Sequence, residues 1–157
     1  GLKFMPEPKT LKEVYESCVA DGLFREHYQI NKEKIKDMAK NAETNIKSAE
    51  LLIKSIKEGD DSWMNVYTDY YEALRIYTEA FLHFHSMKIS NHKCLFAYLC
   101  FKFTNLKLDW NFFEKVRRKR NGAHYYGERI TYEDWKDAEQ QFKFHIRTLK
   151  KEVEKIH

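Results

Sequence analysis

Residues 31–56 read NKEKIKDMAKNAETNIKSAELLIKSI. Ile35, Met38, Ala42, Ile46, Ala49, Ile53 and Ile56 recur at intervals of three or four, and lysines and glutamates fill the positions between. That period marks an amphipathic helix with one buried face. Asn31 is placed to cap its start, and the turn Glu58-Gly59-Asp60-Asp61 to end it. A third helix, capped by Asp61 or Ser62 and running to about Lys88, then folds back against it. Its apolar residues go nearly all round, from Trp63, Val66, Tyr67, Tyr70 and Tyr71 to Leu74, Tyr77, Phe81 and Phe84. Such a helix is central, or has a second face for a partner subunit.

Working toward the N-terminus, Thr10 with Glu13 is a capping signal for a short first helix, which Gly22 closes. The stretch from Leu23 to Ile30 is a connector or a helical turn. Toward the C-terminus, Ser90 or Asn91 opens a fourth helix, and Asp109 caps a fifth that carries Trp110, Phe112, Phe113 and Val116. Gly122 and Gly127 bracket the end of that fifth helix. Thr131 with Asp134 forms another capping box, before a last helix marked by Trp135, Ala138, Phe142, His145, Leu149 and Val153. The only two prolines, Pro6 and Pro8, precede all of this. The expectation is an all-α, up-down bundle of four main helices plus short ones. It forms one domain over residues 1–157, with an extension at 10–30 and the bundle at 31–157.

The composition narrows function. At 157 residues, 43% hydrophobic and 33% charged, the chain is read as soluble and globular, with no membrane span and no signal-peptide pattern at its start. Three cysteines, Cys18, Cys94 and Cys100, make no disulfide framework, so a reducing, cytoplasmic setting is expected. Cys94 and Cys100 read as small core residues. Glycine-rich phosphate loops, H-E-x-x-H, the paired Glu-x-x-His signature of di-iron bundles and G-x-S-x-G are missing from the sequence. No metal and no cofactor are expected, and His83, His85, His92 and His145 read as packing or capping residues.

The formal charge of +4 sits in one place: residues 107–129 hold seven basic side chains against three acidic ones. A local excess of this kind draws phosphate more than a diffuse one does, although basic residues also suit a helix C-terminus. Within that stretch Arg117, Arg118, Lys119, Arg120, Asn121, His124, Tyr125 and Tyr126 bring guanidinium groups, an imidazole and two phenols together. Arginine holds phosphate oxygens through a planar, charged fork. Histidine takes and returns a proton near neutral pH. Such a pair has the chemistry to cleave RNA without a metal.

Two parts of the chain resemble the HEPN domain (higher eukaryotes and prokaryotes nucleotide-binding), over roughly residues 31–155. One is Tyr71-Glu72-Ala73-Leu74-Arg75 with Glu79-Ala80, followed by Lys88-Ile89-Ser90-Asn91-His92-Lys93 and Tyr98-Leu99. The other is the Arg-Asn…His-Tyr-Tyr-Gly run from Arg120 to Gly127. The resemblance implies a helical bundle, a homodimer, and a role in RNA cleavage or in toxin–antitoxin and defence systems. Ribonuclease members carry Arg, four to six residues, then His, and two such motifs face each other across a dimer. Five residues lie between Arg118 and His124 and six between Arg117 and His124, and both fit that pattern, whereas only three separate Arg120 from it. In the Arg120 register the histidine position falls on Tyr125, as in non-catalytic branches, and a phenol is a poor base at neutral pH. His124-x-Tyr126 is also similar to the His-x-Tyr of toxins paired with a nucleotidyltransferase antitoxin, whose tyrosine can be modified by AMP. There the arginine would fall on Lys119.

The candidate catalytic residues are therefore Arg118, Arg120 and His124, with Arg117, Lys119, Asn121, Tyr125 and Tyr126 as RNA or nucleotide ligands. Three readings are open: a metal-independent endoribonuclease, a non-catalytic RNA- or nucleotide-binding module, and a helical dimerisation subunit.

Overall fold

The computed structural model describes residues 9–157; the first eight residues, with both prolines, lie outside the described residues. Six helices form among those described: α1 (Leu11–Ala20), α2 (Lys32–Ser55), α3 (Trp63–Phe84), α4 (His92–Lys102), α5 (Trp110–Tyr126) and α6 (Tyr132–Glu154), with a 3-10 turn at Thr104–Leu106. The capping residues read from the sequence set five of the starts. Thr10, Asn31, Asn91, Asp109 and Thr131 are each extended, and each accepts a backbone N–H of the first turn on its side-chain oxygen. Thr131 and Asp134 satisfy each other reciprocally, which stops two donors from being left open. Ser62 makes no side-chain cap for α3, and its N–H instead donates to Asp60 Oδ1 at 2.9 Å.

Helix α3 is the axis. Thirteen of its 22 residues are buried, so its all-round apolarity is consumed within this chain. Helix α2 packs along it and α6 lies against it as well. The fully buried residues of α2 beyond Ile35 are Ala42 and Ala49, and such small side chains let two helices approach closely. Between α3 and α6 the core is aromatic: Tyr70 meets Trp135 at 4.7 Å and Tyr67 meets Phe142 at 5.3 Å between ring centres. Phe112 of α5 reaches the same Phe142 ring at 5.2 Å. Helix α1 rests on α4, and α4 rests on α3 and α5. No helix among the described residues is long and apolar enough to cross a membrane.

Three sequence expectations are corrected. Helix α3 stops at Phe84 rather than near Lys88, because Ser86 turns left-handed (φ +59°) and Lys88 leaves to pair with Arg25. Helix α5 passes through Gly122 and ends only at Gly127, whose φ of +65° suits glycine. A Cβ at Gly122 would meet only the carboxylate end of the exposed Glu128 side chain, which can swing aside. The cysteines are not all free thiols. Packing of α1 on α4 brings the Cα atoms of Cys18 and Cys94 to 5.8 Å and the two form a disulfide, which removes the basis for inferring a reducing compartment. Cys100 remains a buried thiol, its pKa pushed up to about 12 by burial with Asp109 nearby.

The histidines are built into the packing. His83 Nε2 accepts the Asn31 N–H at 3.0 Å and so joins the end of α3 to the start of α2. His145 stacks on Phe112 and leaves Nδ1 buried without a partner. His92 Nδ1 lies 3.2 Å from the Tyr71 hydroxyl. Burial comes first among the causes that lower all three pKa values from 6.5. Each is held neutral in the fold and protonates more readily once unfolded. The stability they contribute is full above the unfolded value and is lost as pH falls from about 6.5 through the lowered folded values. Urea midpoints are expected to fall between pH 7.5 and 5, and to fall less steeply in His145→Phe. A flat profile across that window would contradict this account.

Candidate functional site

Because α5 is unbroken from Trp110 to Tyr126, the positions of its basic residues follow from helical geometry. At about 100° per residue, Arg117 and Arg120 fall within about 40° of His124 on the helix wheel, while Arg118 stands about 120° away. Phe113, Val116 and Ala123 anchor the helix in the core and so fix which way this stripe faces. It faces α3.

Arg120 lies with its guanidinium over the Tyr71 ring, 5.5 Å from the centroid, and Nη2 is 3.6 Å from Glu72 Oε1. Its Nη1 donates to Asn121 Oδ1 at 3.3 Å, and Nε is buried without a partner. The side chain keeps 17% exposure. Glu72 also binds Arg75 at 2.6 Å, and Arg75 reaches Glu79 at 2.8 Å. Arg117 forms a two-pronged pair with Glu114 at 2.8 and 3.1 Å, and Arg118 meets the same carboxylate at 3.5 Å. Lys93 stands beside them, its pKa lowered by burial and by Arg117 and Arg118 against the opposing pull of Glu114. In this cluster five cations (Arg75, Lys93, Arg117, Arg118, Arg120) meet three carboxylates (Glu72, Glu79, Glu114), which leaves a local positive excess. Neutral His92 sits among them, its pKa lowered by burial and then by Arg75.

His124 is one turn farther along α5 and exposed. Its Nε2 is 3.5 Å from Thr68 Oγ1 of α3. It borders an open groove of about 670 Å³ between α2 and α3, lined also by Leu51, Met64, Asn65 and Asp69. Burial, and the negative charge of Glu72, raise the Asp69 carboxyl above the ordinary range.

The remaining sequence candidates lie elsewhere on α5. Lys119 turns to α6 and pairs with Asp134 at 3.2 Å. Tyr125 and Tyr126 project with 70% and 68% of their surface exposed. Asn121 is half-buried and orients Arg120. The structure thus brings Arg117, Arg120 and His124 to one face and sets Arg118 at its edge.

The α3 wall is what residue-by-residue reading of the sequence passes over. Glu72 and Arg75 count there only as parts of a helix pattern, and Thr68 and Asp69 do not stand out. Their signal is nonetheless present: Asp69 and Glu72 are charges within an otherwise aromatic helix, and such charges in a buried element are held for a reason. Among the described residues no group of three or more His, Cys, Asp or Glu side chains is gathered as a metal ion would require. Comparison with models of known families, with curated proteins and with solved structures found no match to this chain.

Proposed function

We propose that the chain is an RNA-acting domain of the HEPN type, in which Arg120 and His124 cleave the strand without a metal ion. The observation that supports this most is their placement one turn apart on the same face of α5, beside an open groove. In the reaction, the ribose O2′ attacks phosphorus and the bond from phosphorus to O5′ breaks. His124 takes the 2′-hydroxyl proton on Nδ1, since its Nε2 is turned to Thr68. Arg120 holds the non-bridging oxygens as charge builds on them. Asp69 lines the same groove with a raised pKa, and it is the group that gives a proton to the departing O5′. The products are a 2′,3′-cyclic phosphate and a 5′-hydroxyl, so no water is consumed in this step. Thr68 orients the imidazole.

The test is incubation of the purified chain with single-stranded RNAs of varied sequence in EDTA. Cleavage to cyclic-phosphate ends, undiminished by the chelator, is expected. Intact RNA at protein excess overturns the catalytic reading.

A second reading rests on the pairing of Arg117 with Glu114 and of Arg120 with Glu72. A fork already holding a carboxylate is suited to exchange it for a phosphate and stop there. That is a non-catalytic RNA- or nucleotide-binding module, and it gives salt-sensitive binding without cleavage. A homodimer and a nucleotidyltransferase-type antitoxin partner belong to the HEPN reading. Light scattering of the pure chain, alone and with such a partner, distinguishes both from a monomer that acts alone.

A further inference from the structure

We propose that Arg25, Tyr28, Lys34 and Lys88 form a second, separate site that takes a phosphate group. Three cations converge on one phenol. Lys88 Nζ is 5.1 Å, Arg25 Cζ 5.6 Å and Lys34 Nζ 5.7 Å from the Tyr28 ring centroid. A cavity of about 150 Å³ opens beside them, bordered by Tyr28, Lys34 and Lys88 and floored by His83 and Met87. The carboxylates nearby are engaged: Glu79, on the cavity wall, holds Arg75, and Glu33 holds Lys36. None of the ion pairs formed among the described residues involves Arg25, Lys34 or Lys88.

The backbone is shaped to hold this arrangement. Arg25 and Lys88 exchange both backbone hydrogen bonds, at 3.1 and 3.0 Å, and Tyr28 N–H donates to Ser86 O at 2.8 Å. Residues directly opposed across an antiparallel bridge send their side chains to one side, and like charges there repel. His27 and Ser86 next to this bridge both take a left-handed φ of +59°, which is unfavourable for residues other than glycine. Repulsion and backbone cost are thus concentrated at one spot, and no ion pair offsets them. A phosphate supplies the missing negative charge, and arginine with two lysines supplies the matching donors. Lys34 and Lys88 already lower the Tyr28 pKa by their charge.

This site is distinct from the one at His124. Lys34 and Leu51 of the groove are separated by 17 residues of α2, or about 26 Å along the helix. The phosphate is either free or carried by a nucleotide, and the test separates the two.

Calorimetric titration of the full chain at low ionic strength uses inorganic phosphate, pyrophosphate and ADP as probes. One-to-one binding of at least one of them is expected. In the Lys34→Gln, Lys88→Gln double variant it weakens at least tenfold. In Lys47→Gln, Lys54→Gln, which makes the same charge change on the far half of α2, and in His124→Ala it is unchanged. Tighter binding of ADP than of pyrophosphate assigns the site to a nucleotide, and equal or weaker binding assigns it to free phosphate. Thermal melting gives an independent measure: the best probe raises the midpoint of the wild type and not of the double variant. Absence of binding by all three probes overturns the proposal. So does equal loss in the Lys47, Lys54 control, or binding of RNA alone. Because His124→Ala is unchanged here, failure of this proposal is separable from failure of the ribonuclease reading.

Discussion

Reduction of the Cys18–Cys94 bond is expected to lower the stability of the chain by about 4.5 kcal/mol, the chain-entropy value for a loop of this size. The bond spans 76 residues, from α1 to α4, so it restrains nearly half of the unfolded chain. Both cysteines are almost fully buried in the fold, and no exposed tether absorbs the loss. Urea melts with and without a phosphine reductant measure the difference, and Cys18→Ser, Cys94→Ser should reproduce the reduced curve. Cys100 is the internal control. Its thiol, pushed up to about 12, stays protonated at neutral pH and does not take part in exchange, so Cys100→Ser keeps the full response to reductant. Coincident curves with and without reductant would show that the two thiols are unpaired in solution.

That pairing marks where sequence reading reaches its limit. A helix start is written locally: Asn31, Asn91, Asp109 and Thr131 each need only a side-chain oxygen and the next three residues, and all four are legible. A disulfide between residues 76 positions apart needs the packing of α1 on α4, which no local pattern encodes. The end of α3 is hidden for the same reason. Nothing near Ser86 forbids one more turn; the strand-like bridge from Lys88 to Arg25 draws the chain away. Gly122 misleads because glycine often ends a helix, whereas here α5 runs on through it to Tyr126 and Gly127 makes the left-handed end.

The candidate site is half legible. The charge excess points to α5 and to the residues on it. The choice among Arg117, Arg118 and Arg120 depends on whether the helix continues through Gly122. Counting residues between Arg and His admits both Arg117 and Arg118 to the family pattern and not Arg120, but position on an unbroken helix depends on angle rather than count. The α3 wall stays hidden because Asp69 and Glu72 acquire their meaning from α5 lying across them.

The arginine register is decided by comparing three variants in the RNA cleavage assay. His124→Ala should lose roughly 100- to 10,000-fold of the rate, the range general acid–base groups supply. Arg120→Ala should lose on the order of 100- to 1,000-fold, as removal of a charge-stabilising donor does. Arg118→Ala should stay within about threefold, since it lies off the His124 face and Arg117 retains Glu114 when it goes. A urea melt of Arg120→Ala separates lost folding from lost chemistry; Glu72 keeps its 2.6 Å pair with Arg75 after the substitution. Arg120→Lys separates charge from shape: an ammonium retains the attraction but not the fork, so it should recover only part of the rate. A reversed order, with Arg118→Ala silent to stability yet inactive and Arg120→Ala active, would assign the phosphate contact to the edge of α5. The site would then face outward, where a second copy of the chain must complete it.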